Sequence, residues 1–254
     1  MDDFILNEPV LNESGLNDLA LNEHASITKL SFGRENTPLL IIDDFAKNHH
    51  ELIDDAGDGS LFVADAKNFY PGKRKLTKAS YAKQICSHYL SLFASTFGFE
   101  QAQSANSVIS AFAISDQKPE QLRPMQMLPH FDTTESNQLA VVHYLCDAEH
   151  GGTSFYRHRT SNFEVITAER LVDYGRQLKK EAMANQIHLN PSYMKGSNNM
   201  FEQIYSVEAK MNRAIIYPSN VLHSGNINPA MGLSLNPQKG RLTIGSFIEI
   251  NNTI

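Results

Sequence analysis

The sequence predicts a mainly β fold with flanking helices, and three observations predict it. Runs rich in β-branched and aromatic residues recur at 108–114, 139–146, 153–156, 213–217 and 241–248, the composition that a pleated, half-buried surface favours. Turn-forming residues separate them, among them Gly151-Gly152 and Pro218. Helical periodicity is confined to the first half and to one insertion.

In chain order, Leu-Asn-Glu/Asp units recur every five residues across 1–24. That period matches neither a helix nor a strand, so the segment reads as an extension rather than a folded repeat. Strands are expected over 27–32 and 39–43, and helices over 46–56 and 78–97. The second helix carries Tyr81, Ile85, Tyr89, Leu92 and Phe93 on one side. Residues 25–106 thus form an α/β support region, and the β core begins at 107 and runs to 254. An insertion at 160–200 interrupts that core. Thr167 can cap a helix there, with an apolar stripe of Leu171, Tyr174, Leu178 and Ala182. The insertion either recognises substrate or covers a sheet edge or dimer interface.

Composition excludes several function classes. The chain of 254 residues is 41% hydrophobic, enough for one large core, and carries a net charge of −6. Backbone binding to nucleic acid needs a clustered basic face. The only dense basic clusters, 73–75 and 157–159, are short, and the first reads as solvated loop charge. Two cysteines, Cys86 and Cys146, make no disulfide framework. The acidic start Met1-Asp2-Asp3 resembles no signal peptide, and no apolar run reaches membrane length. A cytoplasmic protein is expected. No GxSxG, CxxC, P-loop or GxGxxG is present, so hydrolase, dithiol and nucleotide readings lack support.

The chemistry-bearing pattern is His130-Phe131-Asp132 with His223 further along the chain. Residues two apart on a β-strand share a face, and His130 and Asp132 are read as part of one strand with His223 on another. His130 and Asp132 can therefore offer a nitrogen and an oxygen to one ion, with His223 closing the third corner. Two imidazoles and a carboxylate on one face of a metal leave the other face open, which suits non-haem Fe(II) and O2.

The order HxD, Tyr144-Leu145, Gly151-Gly152-x-x-Phe155-Tyr156, Tyr217-Pro218-Ser219, His223-x-Gly225 and Gly240-Arg241 resembles the Fe(II)/2-oxoglutarate-dependent dioxygenases, in their prolyl-4-hydroxylase-like branch, over about 111–250. The runs 69–74 and 123–130 resemble an uncharacterised bacterial subgroup. The resemblance implies a double-stranded β-helix, a jelly-roll, cupin-like barrel of two antiparallel sheets with helices backing one of them. It implies His130, Asp132 and His223 as Fe(II) ligands. Arg241 would hold the distal carboxylate of the cosubstrate 2-oxoglutarate through a bidentate contact. Tyr144 is either a further ligand of that carboxylate or a core tyrosine; Thr243 and Ser246 are additional candidates. The 18 positions from His223 to Arg241 exceed the branch's roughly ten because of a turn-forming loop over 226–239. The implied reaction consumes O2, yields succinate and CO2, and hydroxylates an unactivated C–H bond of an amino acid, a peptide side chain or a small metabolite. Arg123, Gln126, Arg157 and His158 are candidate substrate contacts, His143 should face away from the pocket, and a homodimer is compatible. The rival reading is a cupin-like metal-binding protein without turnover.

Overall fold

The computed structural model describes residues 19–64 and 70–252. Most of the five-residue repeat lies outside them. Its last unit is described: Leu21 bridges to Ala46, and the Asn22 side chain donates to Asp44 O at 2.9 Å.

Among the described residues, ten strands form two antiparallel sheets. In chain order the elements are β1 (Ser26–Phe32), β2 (Thr37–Asp43), α1 (His49–Ala56), β3 (Gly72–Leu76), α2 (Ala79–Phe97), β4 (Ala102–Ser115), β5 (Gln138–Tyr144), β6 (Thr153–His158), α3 (Ala168–Ala184), β7 (Phe201–Val207), β8 (Arg213–Pro218), β9 (His223–Gly225), the short α4 (Pro229–Gly232) and β10 (Leu242–Asn252). The large sheet runs β1-β2-β8-β5-β10-β4-β3, and the small one β7-β6-β9. The expected mainly β architecture with flanking helices is present. The two sheets face each other as in a double-stranded β-helix but do not close into a continuous hydrogen-bonded barrel. Residues 25–106 do more than support the core, because β1, β2 and β3 are strands of the large sheet itself.

Alternation along β10 explains the layering. Leu242, Ile244, Ile248 and Ile250 point to one face, where they meet Ile85, Tyr89 and Phe93 of α2. Each such buried aliphatic contributes roughly 1.5–3 kcal/mol. Thr243, Gly245 and Phe247 point to the opposite face, toward the small sheet. There Tyr144, Ile215 and Tyr217 pack against Phe155 and Val207. α3 lies over a separate apolar cluster through Tyr174 and Leu178. Leu171 of the expected stripe is 42% exposed, and Thr167 occupies the N-cap position without a side-chain capping bond. Among the described residues no helix is long and apolar enough to cross a membrane.

One polar network ties the helical side to the large sheet. Asn212 Oδ1 accepts from Ala46 N at 3.0 Å, and its Nδ2 donates to Ala46 O at 2.9 Å. The same Oδ1 accepts from His143 Nε2 at 3.1 Å, which leaves Nδ1 to accept the Tyr81 hydroxyl at 3.0 Å. His143 thus faces α2, and burial pulls its pKa down to about 3. Asn212→Ala should strand several buried polar groups at once and lower unfolding stability by about 3 kcal/mol. A urea-unfolding midpoint unchanged from wild type would refute that accounting.

Candidate metal centre

His130 and Asp132 do not lie in a regular strand. His130 forms an isolated bridge to His223, each N–H donating to the other's carbonyl at 2.8 Å. Asp132 N donates to Ser219 O at 2.8 Å, so the segment stays extended and the two side chains share a side as the spacing requires. His130 Nε2 lies 3.8 Å from Asp132 Oδ1, and His223 Nε2 lies 3.6 Å from Asp132 Oδ2. All three donor atoms fall within 4.8 Å of one another. Ligands about 2.1 Å from one ion and at right angles lie about 3 Å apart, so sub-ångström side-chain movements would close the set.

The donor chemistry fits a divalent ion. His223 Nδ1 is 2.9 Å from Val221 O, and a carbonyl can only accept, so the proton sits on Nδ1 and the Nε2 lone pair is free. Although the His130 ring edge opens into the cavity, the surrounding protein desolvates the imidazole. With help from His223 and Arg74, this holds its pKa well below the usual value and favours the neutral, ligating form. Burial raises the Asp132 pKa, and His223 and Arg74 oppose the rise.

The triad opens on an inner cavity of about 120 Å³. Its floor is made of small residues on the inner face of the large sheet: Ala111 and Ala113 on β4, Ala140 on β5 and Gly245 on β10. An outer cavity of about 260 Å³ shares the triad's His130 and Asp132 and adds Gln126, Phe131 and Tyr193.

Arg241 lines both cavities and is 3% exposed. Its Nε donates to Gly151 O at 2.9 Å and its Nη2 to Gly152 O at 3.0 Å, which leaves the terminal guanidinium edge available. The Gly-Gly pair has a steric cause. Gly151 has φ +89°, and a Cβ there would strike Asn226 O; one at Gly152 would strike Val207 O. The loop 226–239 packs back on this turn, with Asn228 Nδ2 donating to Glu149 O and His150 Nε2 donating to Lys239 O. The register then resumes at Leu242, opposite Ile114.

The remaining candidates divide. Thr243 lines the inner cavity. Tyr144 is fully buried, its hydroxyl 2.6 Å from Thr153 Oγ1 and its ring beneath the Arg241 guanidinium at 6.0 Å, so Thr153 forms the cavity wall in its place. Burial pushes the Tyr144 phenol up to about 12. Ser246 also lines the inner cavity, with its hydroxyl turned by the alternation of β10 to the helix face, where it meets Ser110 Oγ at 2.7 Å. Gln126 lines the outer cavity, its Oε1 accepting from Arg123 N at 2.7 Å. Arg123 lines neither cavity. Arg157 and His158 are also corrections. Arg157 is paired with Glu164 and, at 2.8 Å, with Glu202, while His158 bridges Ser161 at 2.9 Å and Glu181 at 3.0 Å. Both are buried, and neither lines the triad's cavities. Sequence reasoning missed Tyr70, Arg74, Tyr217 and Tyr193. Tyr193 comes from the 160–200 insertion and donates to Gln117 O at 2.6 Å, which brings part of that insertion to the outer cavity.

A family profile matches residues 23–248. The chain belongs to DUF6445, a family of unknown function. No curated protein matches the DUF6445 chain in sequence. Solved structures resemble it at low identity. The non-heme alpha ketoglutarate dependent epimerase SnoN from nogalamycin biosynthesis is 11% identical, with a TM-score of 0.46 over 83% of this chain and 76% of its own. HygX from Streptomyces hygroscopicus, with nickel, 2-oxoglutarate and hygromycin B bound, is 14% identical, with a TM-score of 0.45 over 85% and 84%. At such values the chemistry of the DUF6445 site rests on its own residues.

Proposed function

We propose that this protein is a non-haem Fe(II)- and 2-oxoglutarate-dependent dioxygenase, of the prolyl-4-hydroxylase-like kind, that hydroxylates an unactivated C–H bond of an amino acid, peptide side chain or small metabolite. The observation that carries the reading is the convergence of His130, Asp132 and His223 on a cavity that also holds the Arg241 guanidinium. Fe(II) held there, with O2 and 2-oxoglutarate, supplies the oxidising chemistry that gives succinate, CO2 and a hydroxylated product.

The protein's contribution is position and exclusion of water. His130, Asp132 and His223 would hold the ion and leave positions open for the cosubstrate's chelating end. Arg241, clamped on two backbone carbonyls, presents its free edge to the distal carboxylate without having to be ordered on binding. Ile109, Tyr217 and Phe247 line the inner cavity and shield the reacting atoms. The buried thiols of Cys86 and Cys146 fit a reducing compartment, the cytoplasm, in which Fe(II) persists.

Purified protein given Fe(II), ascorbate and 2-oxoglutarate should release succinate slowly even without an added substrate, and His223→Ala should release none. Fe(II) binding without succinate release in wild type, across added amino acids and peptides, would instead favour a metal-binding protein without turnover.

A further inference from the structure

β3 carries the run Lys73-Arg74-Lys75, and its alternation separates the three charges. Lys73 and Lys75 point to the helix side, where each meets an acid: Lys73 pairs with Asp116 at 3.4 Å and Lys75 with Asp58 at 2.7 Å. Arg74 points the other way. It stands opposite Ala113 of β4, which stands opposite Thr243 of β10, so one row of the inner face runs from Arg74 to the cosubstrate end of the pocket. The guanidinium lies 5.3 Å from the centre of the Tyr70 ring, whose hydroxyl is fixed near Ser115 Oγ at 3.0 Å. Small side chains at Ala111 and Ala113 leave open space beneath it.

Arg74 lines both cavities together with Arg241, and among the described residues no ion pair to Arg74 is present. Asp132 is the only acidic side chain lining either cavity among those residues. A divalent ion, two guanidiniums and one carboxylate make a strongly positive pocket. A dicarboxylate cosubstrate balances the ion's remaining charge and Arg241, and the charge of Arg74 is left over. Half-buried and stacked on an aromatic face, that charge is partly desolvated and gains most from an anionic partner.

From this placement we infer that Arg74 binds the substrate, and that the substrate is a small monoanion presenting a carboxylate to Arg74 with its reacting carbon toward the metal. The inference rests on the proposed function and adds the substrate class. A carboxylate matches the planar guanidinium fork and the single leftover charge, whereas a phosphate dianion would overcompensate it.

The test uses the whole protein loaded with Mn(II) and 2-oxoglutarate under nitrogen, with Zn(II)-loaded protein as the diamagnetic blank. Methyl-proton relaxation of acetate, acetamide and methylphosphonate reports which of them binds near the ion. Acetate should show saturable enhancement, and acetamide and methylphosphonate little. Arg74→Gln should weaken apparent acetate affinity by about tenfold or more, and Arg74→Lys should recover part of it. Equal enhancement of acetate and acetamide in wild type overturns the inference without needing any variant. So does a preference for methylphosphonate, or an acetate effect unchanged in Arg74→Gln. If 2-oxoglutarate affinity collapses in Arg74→Gln and survives in Arg241→Ala, Arg74 is the cosubstrate's partner and the substrate assignment falls while the dioxygenase reading stands. Failure of wild type to bind Mn(II) or 2-oxoglutarate removes the dioxygenase reading and this inference with it.

Discussion

His223→Ala is expected to abolish stoichiometric Fe(II) binding while leaving the far-ultraviolet circular dichroism spectrum unchanged. The imidazole supplies one of three protein donors, and its Nε2 is the one whose lone pair is fixed in direction by the Nδ1 bond to Val221 O. Loss of an outer partner of a metal ligand already costs roughly 10–100-fold in affinity, so loss of a ligand should exceed about a hundredfold. Backbone pairing is untouched, because His223 and His130 exchange main-chain hydrogen bonds that alanine can also make. Elemental analysis of protein dialysed against a weak chelator reads the outcome. Wild-type iron content in the variant would remove His223 from the ligand set.

Arg241→Ala is expected to weaken 2-oxoglutarate binding by about 2–5 kcal/mol, roughly thirtyfold or more, as measured by calorimetric titration of the Ni(II)-loaded protein. The substitution deletes a 3% exposed cation and also frees the carbonyls of Gly151 and Gly152, so some loss of thermal stability should accompany it. Arg241→Lys separates the two effects: it keeps the charge and loses the fork, and should fall between wild type and alanine. Unaltered affinity in the alanine variant would transfer the role to another cation of the pocket.

The parts of the site legible in the sequence were those fixed by local spacing. His130 and Asp132 share a side because any extended segment enforces it, even though the structure holds them by an isolated bridge to His223 and a bond to Ser219 rather than in a strand. Arg241 was legible because a strand follows it directly. Thr243 and Ser246 both border the inner cavity, but three positions on a strand is an odd step, so their side chains point to opposite faces and only that of Thr243 faces the cavity. Arg157 and His158 are adjacent on β6 and so face opposite sides, and sequence spacing does not say that Glu164, Glu202 and Glu181 wait for them. Arg74 was hidden inside a basic run that reads as solvated, because nothing local shows that 72–76 is an edge strand of the large sheet. Only the pairing with β4 sorts its three charges. The same pairing across long separations placed β1 and β2 in that sheet beside β8.

The reciprocal hydrogen bonds between His130 and His223 also bear on how the molecule comes into being. They join positions 93 apart in the chain, and a contact of such separation repays its loop-closure entropy only after the intervening strands have paired. The full donor set is therefore absent from the nascent chain: His223 meets His130 and Asp132 only when the two halves have docked. Competence to hold a metal through all three donors would then be a signature of finished folding.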